Sequence, residues 1–203
     1  MSVDQKKLIH ETPWDTLIIL DACRFDVFSQ RYGNFLEGEL TKVQSPASCT
    51  REWLNLTWTE DYQDVTYLSC NMYMQSRNSN HEHQYEPRHK FKRIIDVWKN
   101  GLMPENIEKY ALTTRGRKIL HYNFPHIPYH GEVKTEDMAG YESNLDYILG
   151  YLQGFLHRLE GLTVVTSDHG EWISGHGILH PCGKTLTVLR EVPWLFQAKP
   201  LIL

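Results

Sequence analysis

Leu162-Thr163-Val164-Val165-Thr166-Ser167-Asp168-His169-Gly170-Glu171 is the stretch on which the reading of this chain turns. A short apolar, β-prone run ends here in a carboxylate and an imidazole, two side chains that ligate metals. In an open α/β sheet the carboxyl ends of the strands border the crevice where ligands bind, so an Asp-His pair at such an end marks a candidate site. An isolated Asp-His-Gly also fits an Asx turn with a surface histidine. Two further segments of similar design favour the site.

The first is Trp14-Asp15-Thr16-Leu17-Ile18-Ile19-Leu20-Asp21, again an apolar run closed by a carboxylate. The second, Lys118-Ile119-Leu120-His121-Tyr122-Asn123-Phe124, leads into Pro125-His126-Ile127-Pro128-Tyr129. As parallel neighbours, these three strands bring Asp21, Asp168, His169 and His126 to one rim. A set of oxygen and imidazole donors suits zinc, manganese or iron better than calcium alone.

Working outward, strand-like runs at 16–20, 65–69, 118–122, 162–166 and 192–196 alternate with helical segments, the pattern of an α/β layered sandwich. We expect a mostly parallel central sheet flanked by helices, in one catalytic domain spanning 1–203. The strongest helix is predicted over 138–159. There Tyr141, Leu145, Ile148, Leu149, Leu152, Phe155, Leu156 and Leu159 recur at three- and four-residue steps and form one apolar stripe. Gly150 and Gly154 weaken that helix and are expected to permit close packing on the sheet. Shorter helices are predicted at 50–56, 91–100 and 104–112, the last opened by Pro104.

Bulk properties narrow the function. The net charge of −4 carries no basic footprint, so nucleic acid is not an expected partner. No stretch approaches the roughly 18 consecutive apolar residues of a membrane span, and residues 1–13 lack the apolar core of a signal peptide. Four cysteines, Cys23, Cys49, Cys70 and Cys182, form no Cys-x-x-Cys pair, which argues against a zinc ribbon or a dithiol site and for a reduced, cytoplasmic setting. His81, Glu82, His83 and His89 fall in a polar run without periodicity and read as an exposed loop. Oligomeric state leaves no mark in the sequence.

Ser48-Cys49-Thr50-Arg51-Glu52-Trp53 places hydroxyls, a thiol and a guanidinium at the mouth of a predicted helix. A helix amino terminus favours an anion and a deprotonated nucleophile, although Ser48 or Thr50 also fits a simple N-cap. Taken with the Asp21 strand, His126-Ile127-Pro128-Tyr129, the long helix and Thr166-Ser167-Asp168-His169-Gly170-Glu171, the chain resembles the alkaline phosphatase superfamily. Its sulfatase-like and phosphoethanolamine- or lipoteichoic-acid-transferase-like branches are the most similar.

That resemblance implies that Asp21, Asp168, His169 and Thr50 hold a divalent metal, zinc or manganese first and calcium next. Thr50 would also be the nucleophile, with His126 on the substrate or leaving group. Arg24 or Arg51 would neutralise a non-bridging oxygen, if not engaged in a surface ion pair. A second metal would need further ligands, for which His180 is the better candidate beside His176 and His121. Formylglycine sulfatases carry Cys-x-Pro-x-Arg, whereas Cys49 is followed by Thr50, Arg51, Glu52 and Trp53, with neither the Pro nor the Arg in place. The expectation is therefore a metal-dependent hydrolase or transferase of phosphate esters, glycan- or lipid-linked ones among them. The alternatives are a sulfatase-like enzyme and a degenerate module that only binds phosphorylated or sulfated glycans.

Overall fold

The computed structural model describes residues 2–77, 89–174 and 177–197. Its centre is β2 (Thr16–Leu20), flanked in parallel by β6 (Lys118–Tyr122) and β7 (Thr163–Thr166). All five side chains of β2 are buried, because both faces of the sheet are covered. Ile18 and Leu20 pack into one apolar cluster, while Leu17 and Ile19 pack into the other. Burial on both faces is why the strand reads as an unbroken apolar run rather than an alternation.

The sheet extends on both sides. Beyond β6 lie β4 (Tyr62–Ser69) and the edge strand β5 (Phe91–Asp96), both parallel. Beyond β7 lies β10 (Glu191–Gln197), antiparallel, then β3 (Glu39–Gln44) and the two-residue β1 (Val3–Asp4). The order is β1-β3-β10-β7-β2-β6-β4-β5, a mostly parallel sheet of eight strands, as the sequence predicted. Reversal at β10 leaves β3 running in the same direction as β7. The carboxyl ends of β3, β7, β2, β6 and β4 therefore share one rim.

On one face pack α2 (Phe25–Arg31), α4 (Pro104–Ala111) and α5 (Met138–Phe155). The predicted stripe from Tyr141 to Leu159 is buried throughout, and a 3-10 turn at Leu156–Arg158 ends the helix before Gly161, whose φ is +74°. Asp137 caps the amino end of α5, accepting from Gly140 N at 3.0 Å. Gly150 and Gly154 sit on the exposed side of this helix, so they do not serve close packing on the sheet. Gly140 is the crowded glycine, where a Cβ would lie 1.8 Å from Thr135 O.

The opposite face carries α1 (Gln5–Glu11) and α3 (Thr50–Thr57), over a cluster rich in Trp14, Trp53, Trp58 and Tyr67. A short α6 (Thr187–Arg190) precedes β10, and a separate hairpin joins β8 (Trp172–Ser174) to β9 (Gly177–Leu179).

The helix predicted over 91–100 is not formed. Residues 91–96 are β5, paired with β4 from Tyr62↔Phe91 to Ser69↔Asp96, and only Val97–Asn100 turn as 3-10. Phe91 packs against Tyr62, Tyr67 and Trp58, so tertiary contacts override a weak local helical pattern. Spacing also concealed a bond. Cys49 and Cys182 form a disulfide across 133 residues, while Cys23 and Cys70 are buried thiols.

Candidate active site

Each strand at the shared rim delivers one part of the site. After β2 the chain turns at Asp21-Ala22, with Ala22 at φ +60°, a left-handed conformation that carries a steric cost outside glycine. Tyr141 from α5 holds this turn: its hydroxyl donates to Ala22 O at 2.8 Å and accepts from Arg24 N at 2.9 Å. The amide of Ala22 in turn donates to Asp168 Oδ1 at 3.1 Å, so the turn that carries one carboxylate fixes the other.

Asp168 and His169 follow β7, and both are fully buried. His169 N also donates to Asp168 Oδ1, at 2.9 Å, leaving Oδ2 to face Thr50. The His169 ring bonds through Nδ1 to Gly170 O at 2.8 Å, which places the proton on Nδ1 and presents the Nε2 lone pair. Gly170 is required here, because a Cβ would lie 2.0 Å from Val188 O.

Thr50 is the first residue of α3 and 3% exposed. Its Oγ1 lies 2.7 Å from Asp168 Oδ2 and 3.1 Å from His169 Nε2. The position before it, the helix N-cap, is Cys49, which makes no side-chain capping bond, so Thr50 is not spent on capping. Nor is Ser48, whose hydroxyl donates to Pro181 O at 2.8 Å.

Asp21 completes the cluster, with Oδ1 3.6 Å from His169 Nε2 and Oδ2 accepting from Asn71 Nδ2 at 2.6 Å. Ligand atoms of Asp21, Asp168 and His169 all lie within 4.8 Å of one another. Burial first, and the Asp168 charge second, push the Asp21 carboxyl up to about 7. Burial also opposes ionisation of Asp168, but His169, His121 and the Thr50 hydroxyl outweigh it and hold that carboxyl below its usual value. Asp21 Oδ1 is buried without a hydrogen-bond partner. An orphaned acceptor among two carboxylates and a free imidazole lone pair fits a divalent cation.

A second group stands beside the first. His126, Glu171 and His180 bring ligand atoms within 4.8 Å of each other. His180 Nδ1 meets Glu171 Oε1 at 2.9 Å, and its ring centroid is 4.7 Å from that of His169 and 4.9 Å from that of His126. Glu171 Oε2 is likewise buried and unpartnered. For His180 burial disfavours the charge, yet the Glu171 hydrogen bond and charge outweigh it and raise its pKa. Burial lowers that of His126.

Asp21, Thr50, Asp168 and His169 thus converge, with His126 and His180 adjacent. Arg24 lies at the margin of the second group, its Nη1 donating to Glu171 O at 3.5 Å. Its guanidinium is held bidentately by Asp26, at 2.9 Å from Nε and 2.5 Å from Nη2. Arg51 is exposed and lies beside Cys182. His121 sits behind Asp168 rather than with the second group: its Nε2 is 3.9 Å from Asp168 Oδ2, its Nδ1 bonds Tyr67 OH, and burial pushes its pKa down to about 4. His81, His83 and His176 lie outside the described residues.

Sequence reasoning gave no role to Asn71, Glu171, Ser45 or Gln5. Ser45 donates to Asp168 O at 2.5 Å. Glu171 was visible as a carboxylate two residues past His169, whereas Asn71 had no local signal at all.

A mostly parallel eight-stranded sheet flanked by helices is an alkaline-phosphatase-like fold. No protein-family model and no curated protein matches the sequence. Among solved structures it is similar to the soluble domain of lipooligosaccharide phosphoethanolamine transferase A from Neisseria meningitidis. The TM-score is 0.59 at 14% identity, covering 89% of this chain and 75% of that one. Against the same transferase as an integral membrane protein the TM-score is 0.55, and this chain spans 47% of that length. The C-terminal periplasmic domain of EcEptC from Escherichia coli, in complex with Zn, matches at TM-score 0.51 and 12% identity, over 89% of this chain and 71% of that one. At such identities the likeness is one of fold.

Proposed function

We propose that this protein is a metal-dependent phosphoryl transferase or hydrolase that works through Thr50. The observation that carries the reading is the Thr50 hydroxyl, fixed 2.7 Å from Asp168 Oδ2 and 3.1 Å from His169 Nε2 at the amino end of a helix. Asp21, Asp168, His169 and Thr50 would hold the cation, with zinc favoured by the mixed oxygen and nitrogen donors and manganese next. A bound divalent cation lowers the pKa of a hydroxyl and offsets charge on a phosphoryl oxygen.

The protein's own groups supply the rest. With its proton released to solvent, Thr50 Oγ attacks phosphorus in line, and its bond to phosphorus forms as the bond to the leaving alcohol breaks. His180, whose pKa the Glu171 hydrogen bond and charge raise against burial, delivers a proton to the departing oxygen, and His126 lies beside that path. Water or a second alcohol, giving its proton to His180, then displaces Thr50 as the alkoxide. His126, Glu171 and His180 are also a donor set for a second cation.

Cys49, the residue that a formylglycine sulfatase would oxidise, is bonded to Cys182, which supports Thr50 as nucleophile and phosphate over sulfate. A lipid-linked ester is the favoured substrate. Met72, Trp172, Leu179 and Leu186 are exposed apolar side chains on segments that follow the site strands, and the transferases of similar fold are named for lipooligosaccharide and phosphoethanolamine. The test is turnover of matched nitrophenyl phosphate monoester, phosphate diester and sulfate ester by metal-stripped protein resupplied with zinc or manganese. Phosphate-ester turnover that needs both metal and Thr50 is expected. Equal turnover by Thr50→Ala would overturn the reading.

A further inference from the structure

We propose that the Cys49–Cys182 disulfide is the positioning link of this site, and that a dithiol switches turnover down by opening it. The proposal rests on the reading of Thr50 as nucleophile. Cys49 is the N-cap of α3, directly before Thr50, and Cys182 stands two residues past His180. With the cysteines 133 positions apart in sequence and 5.1 Å between their Cα atoms, one covalent bond sets the distance from the nucleophile helix to the segment that carries His180.

That segment has little else to hold it. Residues 180–186 form no helix or strand, and from Gly183 to Leu186 the chain is exposed. Among the described residues, its other hydrogen bonds to α3 and the turn before it fall on three residues: Ser48 with Pro181 O and Lys184 N, Glu52 with Gly183 N, and Arg51 with Cys182 Sγ. His180 reaches inward from this segment to Glu171, within 4.7 Å of the His169 ring. Asp21, Asp168 and His169 are instead seated on strand ends by their own hydrogen bonds. Opening the disulfide therefore frees His180 and leaves the first metal group in place.

The chemistry of opening is favourable at both sulfurs. Cys182 is half-buried between exposed Pro181 and Gly183, so it is the sulfur that an incoming thiolate reaches. Attack there forms a mixed disulfide on Cys182 and expels Cys49 as a thiolate at the amino end of α3, where the helix dipole stabilises it. The second thiol of the reagent then displaces Cys182, whose thiolate lies by the Arg51 guanidinium at 3.9 Å. The protein gains two electrons and two protons, and the dithiol leaves as its cyclic disulfide. In the reducing cytoplasm that the sequence led us to expect, thiols would set this equilibrium.

The experiment compares oxidised protein, protein reduced with dithiothreitol under excess metal, and the Cys182→Ser variant, read by kcat and KM and by amide hydrogen exchange. Reduction is expected to lower kcat about tenfold or more and to speed exchange across 180–186 while 16–20 and 163–166 stay protected, with recovery on reoxidation. Cys182→Ser should match the reduced protein and ignore the dithiol. Unchanged exchange and kcat on reduction would overturn the proposal, as would a dithiol effect that persists in Cys182→Ser, since that marks metal stripping. No turnover in any form would count against the Thr50 reading alone, and the exchange result would then decide the link.

Discussion

The indole of Trp53 donates to the amide oxygen of Gln5 at 2.9 Å, and this buried bond couples the nucleophile helix to the metal-binding strand. Trp53 is one turn into α3 from Thr50. The Gln5 amide nitrogen reaches the other way, to Thr166 Oγ1 at 2.9 Å and Ser167 O at 2.5 Å, just before Asp168. Every polar atom of the Gln5 side chain is used, and the residue is fully buried.

Gln5→Leu should therefore destabilise the fold and loosen the site together. It leaves Trp53 Nε1 and Ser167 O without this partner, at about 1–3 kcal/mol for each buried group left unsatisfied. Urea denaturation should show a lower midpoint, with a fall in kcat larger than any rise in KM.

Thr50→Ala should remove turnover by about 10³-fold or more, the scale of losing a nucleophile. Thr50→Ser should retain part of it, because the hydroxyl stays within reach of Asp168 and His169. Calorimetric titration with zinc should still show binding to Thr50→Ala, since three ligands of the first group remain.

Metal affinity should fall as pH falls through 7. Asp21 in the metal-free site is held near 7 by burial and by Asp168, so below that value a cation must displace its proton. We expect affinity to drop toward tenfold per pH unit below 7. Proton release on binding, measured by calorimetry in buffers of different ionisation heat, should increase as pH falls from about 8 to 6.

Glu171→Gln should move the alkaline limb of the pH–rate profile to lower pH. Burial disfavours the charged His180 ring, and the Glu171 hydrogen bond and charge overcome this and raise its pKa. Without the carboxylate the ring loses its proton at lower pH, so a step that needs protonated His180 fails sooner. An unmoved alkaline limb would exclude His180 as the proton donor.

The elements that hold the site were legible where one local rule governs them. The stripe on α5 follows from the helical period, and β2, β6 and β7 follow from apolar runs ending in Asp21, in the approach to His126, and in Asp168-His169. β5 was misread as a helix because Phe91-Lys92-Arg93-Ile94-Ile95-Asp96 is decided by pairing with β4, not by its own pattern. For Arg24 the sequence left a non-bridging oxygen and an ion pair as alternatives, and only the folded chain shows Asp26, two residues on, against its guanidinium.

What the sequence by itself determined is the α/β layering and the chemical inventory at the ends of its strands. Periodicity and strand-end chemistry are properties of neighbouring residues, so they survive without a structure. Only the tertiary structure decided which donors meet: Asn71 on Asp21, Glu171 on His180, Gln5 between Trp53 and Ser167, and Cys49 on Cys182. Each of these last links except Glu171–His180 joins residues at least 48 positions apart. Contacts at that separation depend on strand order and on the burial of both faces of one sheet, which no local stretch of chain encodes.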